Sequence, residues 1–282
     1  MKKLMRLATA GALRCLGRLQ NRQPIALILA LALLPAAAIG DSDDRGSAAD
    51  WSIDRQQWSR PFAAGGSLSV RNEFGDIRIR TSGEPELAVS AVIQWHKEVA
   101  DRPLVEITDD DGELSVTVRF PAVELATERK QPGATNDRRV DLAIFMPADV
   151  PLQAATWSGL LEARGLAARA ELSTFSGAVR FSSHSSARVT THRGAIHAAF
   201  RGTNWQQSSS FESVTGDILV ELPTSANLLV TASTEGELTT DYSLAIERKD
   251  RFKQAVATIG DGNQELVIRT VKGAIKILEG LP

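Results

Sequence analysis

Thr174-Phe175-Ser176-Gly177-Ala178-Val179-Arg180-Phe181 is the stretch that decides the fold. In it, small polar residues lead to a glycine, and an alternating apolar run follows that glycine. The phrase recurs along the chain, and from Gly159 to Gly236 successive motif glycines stand 18, 17, 22 and 20 residues apart. A repeat of this length, built from short strands and glycine turns, is typical of a β-solenoid. The motif glycines are Gly75, Gly159, Gly177, Gly194, Gly216, Gly236 and Gly273.

Each copy of the phrase predicts one rung of a parallel β-helix. A single rung cannot bury its apolar side chains, so rungs stack and share backbone hydrogen bonds at a spacing of ~4.8 Å. We expect a glycine at each corner because glycine accepts φ > 0 at low cost. Neighbouring Ser and Thr side chains should bond the exposed backbone groups of the turn. The copies run almost continuously over residues 154–278, and the sequence therefore predicts an all-β domain.

The part before the continuous repeats also reads as β-structure. Alternating apolar residues predict strands from about Phe62 onward, and residues 104–107 and 114–118 flank the hairpin signal Asp109-Asp110-Asp111-Gly112. Residues 121–137 carry Pro, Gly and mixed charges, which is typical of a loop. We therefore expect one domain over residues 60–279, with a hairpin in its N-terminal part.

Residues 1–40 have the composition of an export signal. Six basic residues precede an apolar core at 25–34, and small residues follow it at 36–38. We expect cleavage after Ala38 or Gly40, and residues 41–59 then form a polar spacer. An uncleaved anchor is the alternative, although the apolar core is shorter than the roughly 20 residues of a membrane helix. The predicted location is the periplasm or cell envelope, with the cell surface as an alternative, and no stable membrane span is expected after cleavage.

Composition limits the chemistry of the mature protein. Cys15 is the one cysteine, so cleavage would leave no disulfide and no thiolate metal site. Loss of the six basic leader residues changes the net charge from −2 to −8. A mildly acidic exported protein is not expected to bind nucleic acid. The sequence predicts no metal and no cofactor.

The repeated phrase [Ser/Thr]-x-[Ser/Thr]-Gly-x-Ile-x-Val resembles the bacterial putative-adhesin domain of unknown function. The opening at Gly65-Gly66-Ser67-Leu68 and the ending from Ile259 to Ile275 are similar to that family's patterns, so the resemblance covers roughly residues 60–279. Leu160 and Ala195 depart from it, because an acidic residue usually follows the glycine. The resemblance implies a single-stranded, right-handed β-solenoid in the cell envelope, in some cases linked to envelope-stress systems. It implies no catalytic residues.

Candidate catalytic and metal-binding residues are few. Asp217 and Glu237 follow motif glycines one repeat apart, so they are candidates for stacking on neighbouring rungs and recruiting a cation such as Ca²⁺. Solvated turn acids are the favoured interpretation, since calcium requires several oxygen ligands. His184, His192 and His197 lie close together in sequence but match no zinc spacing.

One charge asymmetry points to a binding function. Residues 162–205 carry six arginines against two glutamates, which is +4 within an otherwise acidic protein. On consecutive rungs these arginines would form a face for an anionic polymer; a solvated face balanced by other segments is the alternative. The leading hypothesis is a non-enzymatic module that binds an envelope protein or an anionic glycan, and the second is a polysaccharide-active β-helix enzyme. The arginines are Arg164, Arg169, Arg180, Arg188, Arg193 and Arg201.

Overall fold

The computed structural model describes residues 51–96, 101–121, 137–243, 245–249 and 251–280. The predicted leader at 1–40 and the first ten spacer residues, 41–50, lie outside the described residues. Within the described ranges, no helix has the length and apolar character needed to cross a membrane.

The described residues form strands and connections, without a helix. In chain order the strands are β1 (Trp51–Pro61), β2 (Ser67–Phe74), β3 (Ile77–Ser82), β4 (Glu86–His96), β5 (Leu104–Asp110), β6 (Glu113–Arg119), β7 (Arg138–Pro147), β8 (Leu152–Ser158), β9 (Leu161–Leu166), β10 (Ala170–Ser176), β11 (Val179–Ser183), β12 (Ala187–Arg193), β13 (Ile196–Phe200), β14 (Ser209–Thr215), β15 (Ile218–Leu222), β16 (Leu228–Thr234), β17 (Leu238–Thr240), β18 (Ala245–Lys249), β19 (Phe252–Ile259), β20 (Gln264–Lys272) and β21 (Ile275–Glu279).

Two sheets are built from these strands. One sheet has the order β1-β4-β7-β3-β9-β11-β13-β15-β21-β17, and the other has the order β18-β19-β16-β20-β14-β12-β10-β8-β2-β6-β5. Each central rung gives one strand to each sheet, and equivalent motif positions stack in parallel; Val179, for example, lies between Leu161 and Ile196. The predicted all-β solenoid class is therefore confirmed.

The predicted hairpin is also confirmed. Strands β5 and β6 pair antiparallel, with Asp110 opposite Glu113. The two turn residues, Asp111 and Gly112, have φ values of 51° and 87°. Positive φ at both positions is the signature of a type I′ turn, which Asp-Gly favours.

The rungs do not stack in simple chain order. The last rung, β20 with β21, inserts between the β14–β15 rung and the β16–β17 rung. Near the other end, β2 and β3 lie between β6 and β7 on one side and β8 and β9 on the other. Each end of the stack is thus closed by a segment that doubles back, which holds the terminal rungs through non-local pairing.

The core lies between the sheets and is filled mainly by Ile, Leu, Val and Ala. An aromatic cluster interrupts this aliphatic stack around Phe211, whose ring centroid lies 5.6 Å from that of Phe181 and 5.9 Å from that of Phe200. Trp205 packs on Phe200 at 4.6 Å and donates its indole N–H to the Gly202 carbonyl. Trp205 lies in the connection from β13 to β14. This connection falls within the 22-residue interval from Gly194 to Gly216, the longest of the four given above, and it carries a residue that covers the core.

The structure corrects the second half of the predicted spacer. Residues 51–59 belong to the edge strand β1, which pairs antiparallel with β4 along its whole length. Trp58 packs against the core, and Asp54 alternates onto the same face. The Arg102 guanidinium beside Asp54 holds the pKa of that carboxyl below its usual value. An inward-pointing charge on an edge strand hinders pairing with another chain.

Candidate functional site

The seven motif glycines lie at corners where the chain passes from the eleven-stranded sheet to the ten-stranded sheet. Four of them have φ between 128° and 156°, namely Gly75, Gly159, Gly177 and Gly216. Gly194, Gly236 and Gly273 lie outside the range of positive φ that disfavours L side chains. Positive φ is therefore not the shared reason for glycine.

Close approach between rungs is the shared reason. A Cβ added at any of the seven corners would lie under 3.0 Å from a backbone carbonyl oxygen of the neighbouring rung. The contacts form one continuous series, which we call the glycine ladder: each glycine meets the carbonyl of the one before it, in the order 75, 159, 177, 194, 216, 273 and 236, and the first meets Val140. This order follows the stacking of the rungs.

Buried polar side chains flank the glycine ladder. Thr270 donates its hydroxyl to the Gly216 carbonyl at 3.0 Å, and Ser213 donates to the Gly194 carbonyl at 3.3 Å. Each donor stands three residues before a motif glycine. In five of the six copies that have Ser or Thr here, one of them from two rather than three residues before its glycine, the hydroxyl donates to a corner carbonyl of the neighbouring rung, as expected from turn chemistry. The buried Thr174 hydroxyl is the exception, because it has no hydrogen-bond partner among the described residues.

The acidic residue after a motif glycine caps the next rung. The Asp217 carboxylate accepts the Ala274 N–H at 2.7 Å, and Asp76 accepts the Leu160 N–H at 3.0 Å. Asp217 and Glu237, the candidates for stacking on neighbouring rungs, do not stack there, because β21 lies between β15 and β17. Asp217 instead fits the favoured interpretation, that of an acidic residue in a turn.

We expect Asp217→Ala to lower the free energy of unfolding by about 0.5–1.5 kcal/mol, because the Ala274 N–H loses its carboxylate partner. Glu237→Ala is the matched control: Glu237 holds the same motif position just before β17, the last described strand of its sheet. Its change should stay within about 0.5 kcal/mol. Urea unfolding measures both, and equal losses would contradict the capping role.

A row of rings crosses the outer face of the eleven-stranded sheet. Trp157 stacks on Phe175 with 4.1 Å between ring centroids, and Phe175 stacks on His192 at 4.8 Å. The interplanar angles are 6° and 9°, and Arg193 lies over the Phe175 ring. Trp157 is 54% exposed. We call Trp157, Phe175 and His192 the aromatic ridge.

A groove runs beside the aromatic ridge and across the strands. One cavity of about 810 Å³ extends from β6 to β14, and a second of about 580 Å³ continues to β19. The two share Thr190, Thr191 and Val214 as lining residues. Small side chains, including Ala155 and Ser173, line its centre. We call this groove the trough; it spans nine strands, or about 38 Å at ~4.8 Å per strand.

The aromatic ridge was not predicted from the sequence, although the sequence holds its signal. Trp157, Phe175 and His192 each stand two residues before a motif glycine. Parallel stacking in register brings that position of each rung directly beside the same position of the next. Aligning the repeats on their glycines would have placed the three rings in one column.

The six predicted arginines do not share one face. Arg188 and Arg193 lie on β12 in the eleven-stranded sheet, with Arg169 just before β10, whereas Arg164 and Arg180 lie in the other sheet. Arg201 follows β13 of that other sheet. Arg164 pairs with Glu162 at 2.5 Å, and Arg80 bonds the same carboxylate. Anionic-polymer binding by these arginines stays a prediction.

The histidines are separated in the same way. His192 belongs to the aromatic ridge, whereas His197 lies on β13 in the other sheet and contacts Glu221 at 3.0 Å. In the described part of the chain, no group of three or more His, Cys, Asp or Glu side chains is placed to hold a metal ion.

The rungs that carry the aromatic ridge match a known protein family. The model of the Toastrack DUF4097 family matches residues 150–278. Residues 150–278 therefore resemble a Toastrack domain. The match confirms the resemblance to the putative-adhesin domain of unknown function and includes all three ridge residues. None of the curated proteins matches the chain.

Solved structures similar to the chain include three bacterial proteins. A putative cell adhesion protein from Clostridium sporogenes is 14% identical; the match covers 80% of this chain and 100% of that chain, with a TM-score of 0.46. A putative adhesin from Bacteroides fragilis is 10% identical, with 79% and 97% covered and a TM-score of 0.31. One from Parabacteroides distasonis is 9% identical, with 81% and 97% covered and a TM-score of 0.25.

Proposed function

We propose that this protein is exported to the cell envelope and acts there as a non-enzymatic binding module. The trough beside the aromatic ridge carries the proposal, because it joins exposed rings and polar side chains along one rigid, fully paired sheet. Its partner would be an envelope protein or glycan. A contribution to envelope-stress sensing would use the same surface. The separation of Asp217 from Glu237 favours this role over the polysaccharide-active enzyme.

Export rests on the leader-like composition of residues 1–40. We expect the envelope-associated protein to begin after Ala38 or after Gly40. N-terminal sequencing of the tagged chain, purified from the envelope of a bacterium that expresses it, measures the start. An intact Met1 would instead favour a retained anchor.

Binding through the trough is tested by retention in that envelope fraction. We expect the double variant Trp157→Ala/Phe175→Ala to lose retention, because both rings leave the ridge. Trp51→Ala is the control, since Trp51 is also exposed, at 38%, but lies on β1 in the other sheet. Cells lacking their own copy of the protein give the cleanest comparison. Equal retention of all three proteins would overturn the proposed surface.

The predicted anionic partner has its own test. We expect Arg180→Glu/Arg193→Glu to weaken binding of acidic envelope polysaccharide by roughly tenfold or more, because arginine pairs favourably with carboxylate and phosphate. Wild-type binding should fall as salt rises. Because Arg180 and Arg193 lie in different sheets, the two single variants show which sheet contributes to binding of the polysaccharide. Unchanged binding in the double variant would leave the arginines as an ordinary solvated surface.

A further inference from the structure

We propose that the trough binds a linear glycan, whose pyranose rings lie one after another along the solenoid axis. The inference rests on the proposed function and names the ligand class for the same site. Its basis is the juxtaposition of the aromatic ridge with evenly spaced polar side chains across nine strands.

The pairing of the sheet argues against an extended peptide. Strands β2, β8, β10, β12, β14, β20 and β16 are each paired on both sides, so their backbone groups are engaged in the ladders. A peptide on this face cannot add a strand, which is the usual source of affinity for extended peptides. Recognition must therefore come from side chains alone.

The backbone positions that line the trough repeat at each rung, while their side chains differ, and a periodic surface suits a periodic ligand. Ala155, Ser173 and Thr190 occupy equivalent positions on β8, β10 and β12. The rung spacing is ~4.8 Å, close to the advance of an extended pyranose chain per sugar. A polymer of repeating rings can thus place the same group opposite each rung.

The side chains offer the chemistry that sugars require. Trp157 presents an exposed indole at one end of the aromatic ridge, and the apolar C–H face of a pyranose packs on such a ring. Sugar hydroxyls pair with planar groups that have two hydrogen-bonding atoms, and Gln153, Glu171 and Arg188 line the trough. An aromatic wall with a few directed polar groups is the usual composition of a small-molecule site.

The charges of the trough balance along its length. Three arginines and three glutamates line it, and opposite charges lie on adjacent strands at two places, Glu171 beside Arg188 and Glu212 beside Arg269. Because the lining has equal numbers of positive and negative side chains, it does not select a polyanion. The proposed ligand is therefore defined by its pyranose chain, and the titration below determines whether that chain is neutral or acidic. The six residues are Arg71, Glu73, Glu171, Arg188, Glu212 and Arg269.

Calorimetric titration of the purified full chain with defined oligosaccharides tests the inference. The probes are chito-oligosaccharides and oligomannuronates, each as disaccharide, tetrasaccharide, hexasaccharide and octasaccharide. We expect affinity in at least one series to rise with each added pair of rings up to the octasaccharide, because the trough spans about eight strand spacings. Which series binds identifies a neutral or an acidic source.

Variants locate the binding. Trp157→Ala should weaken the octasaccharide by about tenfold or more, and the disaccharide by less. Trp51→Ala should leave both affinities unchanged. No binding in either series, no dependence on length, or an equal loss in the two variants would overturn the inference. Envelope retention that depends on the trough without any oligosaccharide binding would preserve the proposed function and reject the glycan.

Discussion

We expect Gly177→Ala and Gly194→Ala each to lower the free energy of unfolding by at least about 3 kcal/mol, or to prevent folding. Overpacking usually costs about 1–3 kcal/mol when side chains can move aside. Here the added Cβ would meet the carbonyl of the neighbouring corner glycine, and a paired backbone cannot move without breaking its ladder. Urea unfolding of purified protein measures the loss.

The chain contains controls that separate close approach from backbone strain. Gly194 has the close approach without the disfavoured φ, whereas Gly65 has a φ of 74° and nothing within 4 Å of an added Cβ. Gly83 has neither feature. We expect Gly65→Ala to cost about 1–2 kcal/mol and Gly83→Ala to stay within about 0.5 kcal/mol. A loss at Gly194 no larger than that at Gly83 would contradict the glycine ladder.

The positions of the glycine ladder could be predicted from the sequence, but the physical reason for glycine there could be predicted only in part. Repetition of the motif predicted the corners, the stacking and the all-β class, because each copy encodes the same local geometry. Positive φ was the predicted cause, and Gly194 shows that this cause is incomplete. Close approach depends on the neighbouring rung, which a local motif does not contain.

The order of the rungs could not be predicted for a related reason. The copy at Gly273 carries the same phrase as the copies at Gly216 and Gly236, so local sequence does not choose among these neighbours. The β18–β19 hairpin continues the sheet beyond β16, and that leaves the far side of β16 for β20. Stacking order is therefore set by long-range pairing.

Assignment of side chains to faces could have been predicted more accurately. Residues before a motif glycine lie in the eleven-stranded sheet, and residues after it lie in the other sheet. Arg180 follows Gly177, whereas Arg188 precedes Gly194, so the two arginines fall on different sheets. Counting charges along the chain mixes the two sheets, and the predicted basic face came from that mixing.

We expect Phe211→Ala to lower the free energy of unfolding by about 3–5 kcal/mol. Phe211 has no exposed surface and contacts the rings of Phe181 and Phe200 from the opposite sheet. Truncation leaves a cavity between the sheets and removes both ring contacts. Because β10 to β15 are held by paired strands, the surrounding backbone cannot collapse fully into the gap. The urea midpoint of the variant measures the loss.

The matched control is Phe145→Ala, since Phe145 is 37% exposed on β7. Its loss should be below about 1 kcal/mol, because little apolar surface is returned to water. In a solenoid each rung contacts only its neighbours, so the Phe211 cavity should weaken rungs locally. Hydrogen exchange should therefore accelerate most in β11, β13 and β14 and least in β4 and β7. Uniform acceleration over all described strands would show that the stack unfolds as one cooperative unit, and would contradict the local effect expected from its rung-by-rung construction.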